Sequence, residues 1–182
     1  MQWYNIRMRK HNFAFIDIET TGLNLQKNEI IEIGCVLTTP DLKIIEEFEF
    51  KIKPKHLEYA DPVAMKINHY NEDDWKFAYE LGDAMEIFSS KVKDAIMVGQ
   101  NVAFDISFIE YAFNTTNIKN PMHYHRLDTM SIAWAKMHND PTLERFSLRE
   151  MCIRFGIEHK NQHTGLGDAR ATYELYKKLM SL

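Results

Sequence analysis

FAFIDIETTG, residues 13–22, ends an apolar, strand-like run with two acids and a turn. Because side chains alternate between the two faces of a strand, Phe15, Asp17 and Glu19 share one face of the predicted strand. Ile16 points to the opposite face, and apolar residues on both faces indicate a strand in the middle of a sheet. The pattern therefore predicts a central strand that brings two carboxylates out together at its end.

Asp17 and Glu19 are the first candidate metal ligands. Residues two apart in a strand are separated by roughly 6.6 Å, so both carboxylates can hold one hard cation or flank a pair of them. The alternative is that they only begin a turn in which Thr20 and Thr21 act as caps. Turns seldom need acids on the face of a sheet, and a buried acid pair without a counter-charge is costly. The metal interpretation is therefore preferred.

Length and composition predict one domain that spans residues 1–182. The chain has 182 residues, of which 45% are hydrophobic and 26% charged, which is ordinary for a soluble globular protein. Its formal net charge is −4, which argues against non-specific wrapping of a polyanion. Any nucleic acid is therefore expected to be held locally or through metal ions.

The cysteines and the hydropathy pattern bear on location. Only Cys35 and Cys152 are present, which supports neither a disulfide framework nor a thiolate metal site. We therefore expect an intracellular, cytoplasmic protein. No apolar run is long enough to span a bilayer, so no membrane role is expected.

The order of the predicted elements is three strands followed by alternating helices and strands, which suggests an antiparallel start. Strands are predicted at 13–20, 29–38, 43–53, 95–98 and 124–128, and helices at 62–68, 81–92, from about 105, 130–137, 148–155 and 168–180, with a polar loop at 155–167.

Two further acids, Asp105 and Asp168, each lie at the predicted start of a helix. An acid in the first turn can simply compensate the helix dipole, and this alternative stays open for either residue alone. However, Asp17 and Glu19 also lie at the end of an element that adjoins a core. If the four carboxylates converge, they need cations.

Three motifs resemble those of the DEDD-superfamily exonucleases that use a catalytic histidine, the DEDDh branch, which are similar to the proofreading subunit of bacterial replicative polymerases. They are DIETTGL at 17–23 with IIEIG at 30–34, QNVAFD at 100–105, and HTGLGDA at 163–169. His163 stands five residues before Asp168, the spacing that separates this branch from relatives that use tyrosine. The chain departs from the family at Gln100, where histidine is frequent, and at Asn68-His69, where histidine-glycine is common.

The resemblance implies an α/β, ribonuclease H-like fold, a mixed five-stranded sheet flanked by helices with the first strand central. It also implies that Asp17, Glu19 and Asp168 hold two Mg²⁺ or Mn²⁺ ions, that Asp105 supports the second ion, and that His163 is the general base. By the same resemblance, Thr20, Thr21 and Leu23 hold the terminal nucleotide and Asn101 supports the site. An imidazole with a pKa near 6.5 and a pair of divalent ions suit phosphodiester hydrolysis near neutrality.

The expected activity is that of a metal-dependent 3′-to-5′ exonuclease that releases 5′-mononucleotides from single-stranded or frayed DNA ends. An exoribonuclease that trims RNA 3′ ends is an open alternative, since the motifs do not distinguish the two. A catalytically silent nucleic-acid-binding or polymerase-interaction module ranks last, because the four acids and the histidine are all present. The partners that the resemblance implies are single-stranded 3′ ends and a DNA polymerase.

Overall fold

A five-stranded sheet forms the centre of the computed structural model, which describes residues 10–182. The strands are β1 Phe13–Thr20, β2 Ile30–Thr38, β3 Ile44–Lys51, β4 Ile96–Gly99 and β5 Arg126–Asp128. The α-helices are α1 Pro62–Ile67, α2 Leu81–Lys91, α3 Val102–Thr115, α4 Thr129–Met137, α5 Leu148–Phe155 and α6 Gly165–Met180. Within the described residues, none of the helices is long and apolar enough to cross a membrane.

The sheet is mixed, and its strands run in the order β3-β2-β1-β4-β5. β1 pairs antiparallel with β2, and β2 antiparallel with β3, whereas β1, β4 and β5 are parallel. The predicted fold class, the antiparallel start and the central position of the first strand are thus confirmed. The carboxyl ends of the three parallel strands meet at one edge of the sheet, where ligands of open α/β sheets usually bind.

The two faces of β1 pack against different helices, as its alternation predicts. Ala14 and Ile16 belong to a core shared with α2 and α3, in which Phe88 and Ile109 are fully buried. On the opposite face, Phe15 packs against α6, and its ring centroid lies 5.2 Å from that of Tyr173. Asp17 and Glu19 continue this second face towards the first turn of α6.

Two helix starts differ from the prediction by about three residues. α3 begins at Val102 rather than near Asp105, and α6 begins at Gly165 rather than at Asp168. Thr164 caps α6 by accepting a hydrogen bond from the amide of Gly167 at 3.1 Å. The sequence reading placed each start at the acid because acids favour the first turn, but that preference fixes a helix start only to within a turn.

A close contact between two glycines sets the position of α6. A Cβ atom on Gly34 of β2 would lie 1.9 Å from the backbone carbonyl carbon of Gly165, and a Cβ on Gly165 would lie 2.6 Å from the amide nitrogen of Gly34. No side chain fits between these backbones. Gly34 is also the register partner of Asp17 in β1. The start of α6 is therefore seated directly on the strand pair that carries the first acids.

We expect Gly34→Ala to lower the free energy of unfolding by roughly 3 kcal/mol or more, because the new methyl group overlaps the backbone of Gly165. Gly82→Ala in α2 is the matched control, since a Cβ there meets no atom within 4 Å. This control should stabilise the protein by about 0.5 to 1 kcal/mol. Urea denaturation of both variants measures the difference. Equal stability of the two would show that the glycine contact does not set the packing of α6.

Candidate active site

The first two acids lie at the carboxyl end of β1, where the strand outruns its parallel partner. Only Phe13–Phe15 of β1 pair with β4, so the segment from Ile16 onward has a free edge on that side. Asp17 and Glu19 are partly buried on the α6 face. A register irregularity follows Glu19, where β1 turns away from β2.

Asp105 fills the gap at this free edge of β1. It stands in the first turn of α3 and is only 4% exposed. Its Oδ1 accepts a hydrogen bond of 3.1 Å from the amide of Ile18, the residue between Asp17 and Glu19. The short β4 thus leaves an amide of β1 unpaired in the sheet, and the carboxylate of Asp105 satisfies it. This bond fixes Asp105 beside the first two acids.

Asp168 is brought to the same place by the start of α6. The helix amides there are bound by acids from the neighbouring strands: the amide of Gly165 donates to Glu32 at 2.5 Å, and that of Leu166 donates to Glu49 at 3.1 Å. Carboxylates are favourable partners for the free amides of a helix N-terminus. These bonds and the Gly34 contact hold the first turn of α6, and with it Asp168, over β1.

His163 reaches the cluster from the loop before α6. Its backbone has a φ of 63°, in the left-handed region that non-glycine residues rarely occupy, and its side chain is exposed. One ligand atom from each of Glu19, His163 and Asp168 lies within 4.8 Å of the others. Strained backbone of this kind is typical of functional sites. In this conformation the imidazole lies beside the two carboxylates.

The acids raise one another's pKa values. Burial raises the pKa of Asp17 well above its usual range, and repulsion from Asp105 and Asp168 raises it further. Burial raises the pKa of Glu19 to about 8, with repulsion from Asp168 next in size. Burial also raises the pKa of Asp105 to about 7, although the hydrogen bond from Ile18 opposes this. Burial and mutual repulsion thus disfavour the charged forms of these acids when no cation is bound.

This donor set fits divalent cations that prefer oxygen. Carboxylate oxygens suit Mg²⁺ and Mn²⁺, and a bound cation favours the charged form of each acid that burial and repulsion now disfavour. The convergence of four carboxyl groups is hard to explain by fold stability alone, since repulsion among them costs free energy. Asp17, Glu19, Asp105 and Asp168 are therefore suitable ligands.

His159, in the polar loop before α6, is a site residue that the sequence analysis does not single out. Its Nε2 lies 2.5 Å from Oδ1 of Asp168, and its side chain is only 8% exposed. The hydrogen bond to Asp168 raises the pKa of His159 to about 9. A histidine or carboxylate bound to a metal ligand commonly fixes its orientation. His159 therefore orients Asp168, and the only sequence signal for it was a second histidine in the same loop.

The residues that are expected to bind the terminal nucleotide differ in their exposure to solvent. Thr20 and Thr21 are buried; the Thr20 hydroxyl donates to the carbonyl of Gly22 at 2.7 Å, and the Thr21 hydroxyl accepts from the amide of Glu29 at 2.9 Å. Their side chains hold the turn together and leave its backbone to face a ligand. Leu23, by contrast, is 81% exposed at the tip.

Asn101 lies at the boundary between β4 and α3. Its backbone is left-handed, with a φ of 61°, and its amide donates to Oδ1 of Asp128 at 2.8 Å. The Asn101 side chain is exposed and does not cap the helix. The residue thus presents its side-chain carboxamide at the same edge of the sheet as the acids.

Comparison with known proteins places this geometry in a family. The family model described as Exonuclease matches residues 14–176, from β1 to α6, and so includes all four acids and His163. The chain belongs to this exonuclease family. Its resemblance to the DEDD superfamily, first inferred from three motifs, is thereby confirmed.

Two relatives differ in the share of their own length that this chain matches. DNA polymerase III subunit epsilon of Treponema pallidum is 31% identical over 172 residues, which cover 93% of this chain and 76% of that protein. DNA polymerase III PolC-type of Halalkalibacterium halodurans is 28% identical over 185 residues, 97% of this chain and 12% of the relative. The exonuclease domain thus spans only a small part of the PolC-type protein.

Solved structures of exonuclease I share the fold. One has a TM-score of 0.83 at 21% identity and covers 94% of this chain and 41% of that chain. A zinc-bound complex of E. coli exonuclease I with single-stranded DNA has a TM-score of 0.82, also at 21% identity, and covers 94% of this chain and 40% of that one. Likeness at this level of identity establishes the ribonuclease H-like architecture.

The pKa values predict how stability depends on pH when divalent ions are removed. Folding raises the pKa of Glu19 from 4.5 to about 8, so between these values the folded protein keeps a proton that the unfolded chain has released. Stability should therefore fall as pH rises through this window, and the shift of Asp105 acts in the same direction. The loss is complete only above about pH 8.

Thermal unfolding in EDTA at about pH 5 and about pH 8.5 tests this, with the melting temperature expected to be at least about 5 °C lower at the higher pH. Millimolar Mg²⁺ should recover more of the melting temperature at the higher pH, and Glu19→Gln should flatten the dependence. A melting temperature that rises with pH over this range would contradict the expected cost of the acid cluster.

Proposed function

We propose that this chain is a metal-dependent 3′-to-5′ exonuclease that releases 5′-mononucleotides from single-stranded or frayed DNA ends by two-metal-ion phosphodiester hydrolysis. The observation that carries the proposal is the convergence of four acids from β1, α3 and α6 with the exposed imidazole of His163. We further propose that residues 1–182 act as one catalytic domain.

The acids have different tasks in the proposed reaction. Asp17, Glu19 and Asp168 are the residues that would hold two Mg²⁺ or Mn²⁺ ions, with Asp105 supporting the second ion directly or through water. When bound, such ions stabilise the attacking and leaving oxygens of an in-line displacement at phosphorus. Asp105 and Asp168 are fixed from outside the cluster by the amide of Ile18 and by His159, so the carboxylates are oriented before substrate arrives.

His163 is the proposed general base. It takes a proton from the attacking water, which then adds to the phosphorus of the last phosphodiester bond. The leaving group is the 3′ oxygen of the penultimate nucleotide, so the products are a 5′-mononucleotide and a new 3′-hydroxyl end. The exposure of His163, which allows it to meet water, and its closeness to Glu19 and Asp168 support this role.

The turn after β1 is the proposed site for the terminal nucleotide. Backbone groups of the turn at Thr20 and Thr21 meet the terminal 3′-hydroxyl, and the exposed Leu23 packs against the last base. Asn101 supports the neighbouring phosphate from the α3 side. Unpaired ends fit such a site better, because a terminal base must leave its partner to stack on protein.

The choice of DNA and the biological setting follow from the relatives. Two of them are named as DNA polymerase III proteins, and exonuclease I has been crystallised with single-stranded DNA. We therefore propose DNA as the substrate, a DNA polymerase as the partner, and proofreading in the cytoplasm as the setting.

An oligonucleotide labelled at its 5′ end tests polarity and product. We expect a descending ladder of fragments with 5′-mononucleotides released, abolition by EDTA and by Asp17→Ala, and recovery of the wild-type protein with Mg²⁺ or Mn²⁺. Duplex ends should be cut more slowly than single strands.

Matched DNA and RNA oligonucleotides of one sequence complete the assay. Faster cleavage of RNA would replace the proposed substrate with RNA. Release of 3′-monophosphates, or equal cutting of a 3′-blocked strand, would show that the site works by a different reaction.

Substitutions of the two histidines in the loop before α6 should have different effects, one on turnover and the other on metal binding. His163→Ala should lower kcat by about 10²- to 10⁴-fold with little change in metal affinity, because it removes the general base. His159→Gln should weaken Mg²⁺ or Mn²⁺ binding by about 10- to 100-fold, because Asp168 loses the group that orients it. Calorimetry of metal binding and steady-state kinetics measure the two effects. Turnover of His163→Ala within about twofold of wild type would remove it from the mechanism.

A further inference from the structure

An open cleft lies between α4 and the segment that leads into α5. Its volume is about 440 Å³, within the usual range of roughly 300 to 1,000 Å³ for ligand sites. We call it the Trp134 cleft; it is lined by Met130, Ser131, Trp134, Glu144, Arg145 and Phe146. None of the roles assigned above uses it.

Trp134 is a largely exposed aromatic residue in this cleft. It is 59% exposed, which is unusual for a tryptophan that serves only the core. The ring of Phe146 meets it edge to face with centroids 5.0 Å apart, and the ring of His138 stacks on it with centroids 6.4 Å apart. A supported aromatic ring that stays more than half exposed is the kind of surface on which nucleobases stack.

Hydrogen bonds tie this cleft to the α3 end of the active site. The hydroxyl of Thr129 donates to Oε1 of Gln100 at 2.6 Å, and Nε2 of Gln100 donates to the carbonyl of Phe146 at 2.6 Å. Gln100 directly precedes Asn101, after which α3 carries Asp105 into the acid cluster. Because β1, β4 and β5 are parallel, the start of α3, which carries Asp105, and the start of α4 at Thr129 lie at the same edge of the sheet.

The charged side chains at the cleft favour a nucleobase that is contacted by a single cationic residue. Within residues 10–182, Arg145 forms no ion pair, so its guanidinium is available to a phosphate or to the face of a base. Glu144 also lines the cleft, which disfavours a phosphate deep inside it. With a net charge of −4, the protein has little long-range attraction for a polyanion, so local stacking must supply affinity.

We propose that the Trp134 cleft binds bases of single-stranded DNA upstream of the phosphate that is cut. The proposal rests on the proposed exonuclease function and extends its site by a second, stacking subsite. A base stacks on the exposed part of the Trp134 ring, while Arg145 contacts the sugar-phosphate backbone at the rim. Stacking of this kind tolerates any sequence, as an exonuclease that removes every nucleotide requires.

The test compares substrates that reach the cleft with one that does not. The p-nitrophenyl ester of thymidine 5′-monophosphate fills only the terminal site, whereas oligothymidylates of about two to about eight nucleotides extend progressively towards the cleft. We expect Trp134→Ala to raise KM for the longest strands by about tenfold, with a penalty that grows with length and is least for the ester. Trp134→Phe, which keeps an aromatic face, should restore most of the loss.

The matched control is Tyr124→Ala, which removes another exposed aromatic ring in the segment before β5. It should leave KM unchanged for every length. An equal penalty on the ester and on the longest strand, or no penalty from Trp134→Ala at any length, would overturn the proposal.

A binding assay without catalysis separates this proposal from the proposed function. In EDTA, oligothymidylate should quench the tryptophan fluorescence of the wild-type protein, and Trp134→Phe should abolish this quenching. If the wild type hydrolyses neither substrate but this quenching is present, the exonuclease function fails and the cleft stands. Quenching that is identical in Trp134→Phe would assign the signal to the other tryptophans and refute the subsite.

Discussion

The contact between Gly34 and Gly165 is the constraint on which the site depends. Two backbones meet with no room for a side chain on either, and this lets the first turn of α6 rest directly on β2 beside its partner β1. Strand acids then complete the seat, since Glu32 and Glu49 accept hydrogen bonds from the first amides of the helix. A helix held off the sheet by a methyl group would carry Asp168 away from the strand acids. The contact between Gly34 and Gly165 therefore fixes both the packing of α6 and the position of Asp168.

This packing is opposed by electrostatic repulsion among the acids. It brings carboxyl groups together where burial already disfavours their charged forms, so part of the free energy gained from the core offsets repulsion. The apolar face of β1 shows where the compensating stability comes from: Phe15 packs against Tyr173 and Tyr176 on the same helix that carries Asp168. The core thus lies immediately behind the acids. Such an arrangement lowers the stability of the protein alone and becomes favourable once cations bind. Metal binding and folding stability are therefore coupled.

Sequence alone predicted the parts of the site that depend on local periodicity or fixed spacing. The faces of β1 follow from a period of two, and the interval from His163 to Asp168 is a property of one short motif. What it missed depends on contacts between distant elements. Asp105 bonds to Ile18 because β4 is shorter than β1, and no local pattern records that difference. Likewise, His159 contacts Asp168 because the loop before α6 folds back onto that helix, and the sequence does not show this contact.

The loop before α6 combines a fixed histidine with a free one, and this division bears on how the site can work. His159 is buried and bound to Asp168, while the hydroxyl of Thr164 accepts from Gly167 and donates to the carbonyl of Asn161. The loop is therefore anchored on both sides of His163, whose imidazole is exposed. Metal ligands require fixed positions, because a displaced carboxylate loses affinity for the cation. A general base must instead exchange its proton with solvent after each turnover, which requires access to water. The acids on regular elements and the proposed base on a short, anchored loop would satisfy both requirements in one site.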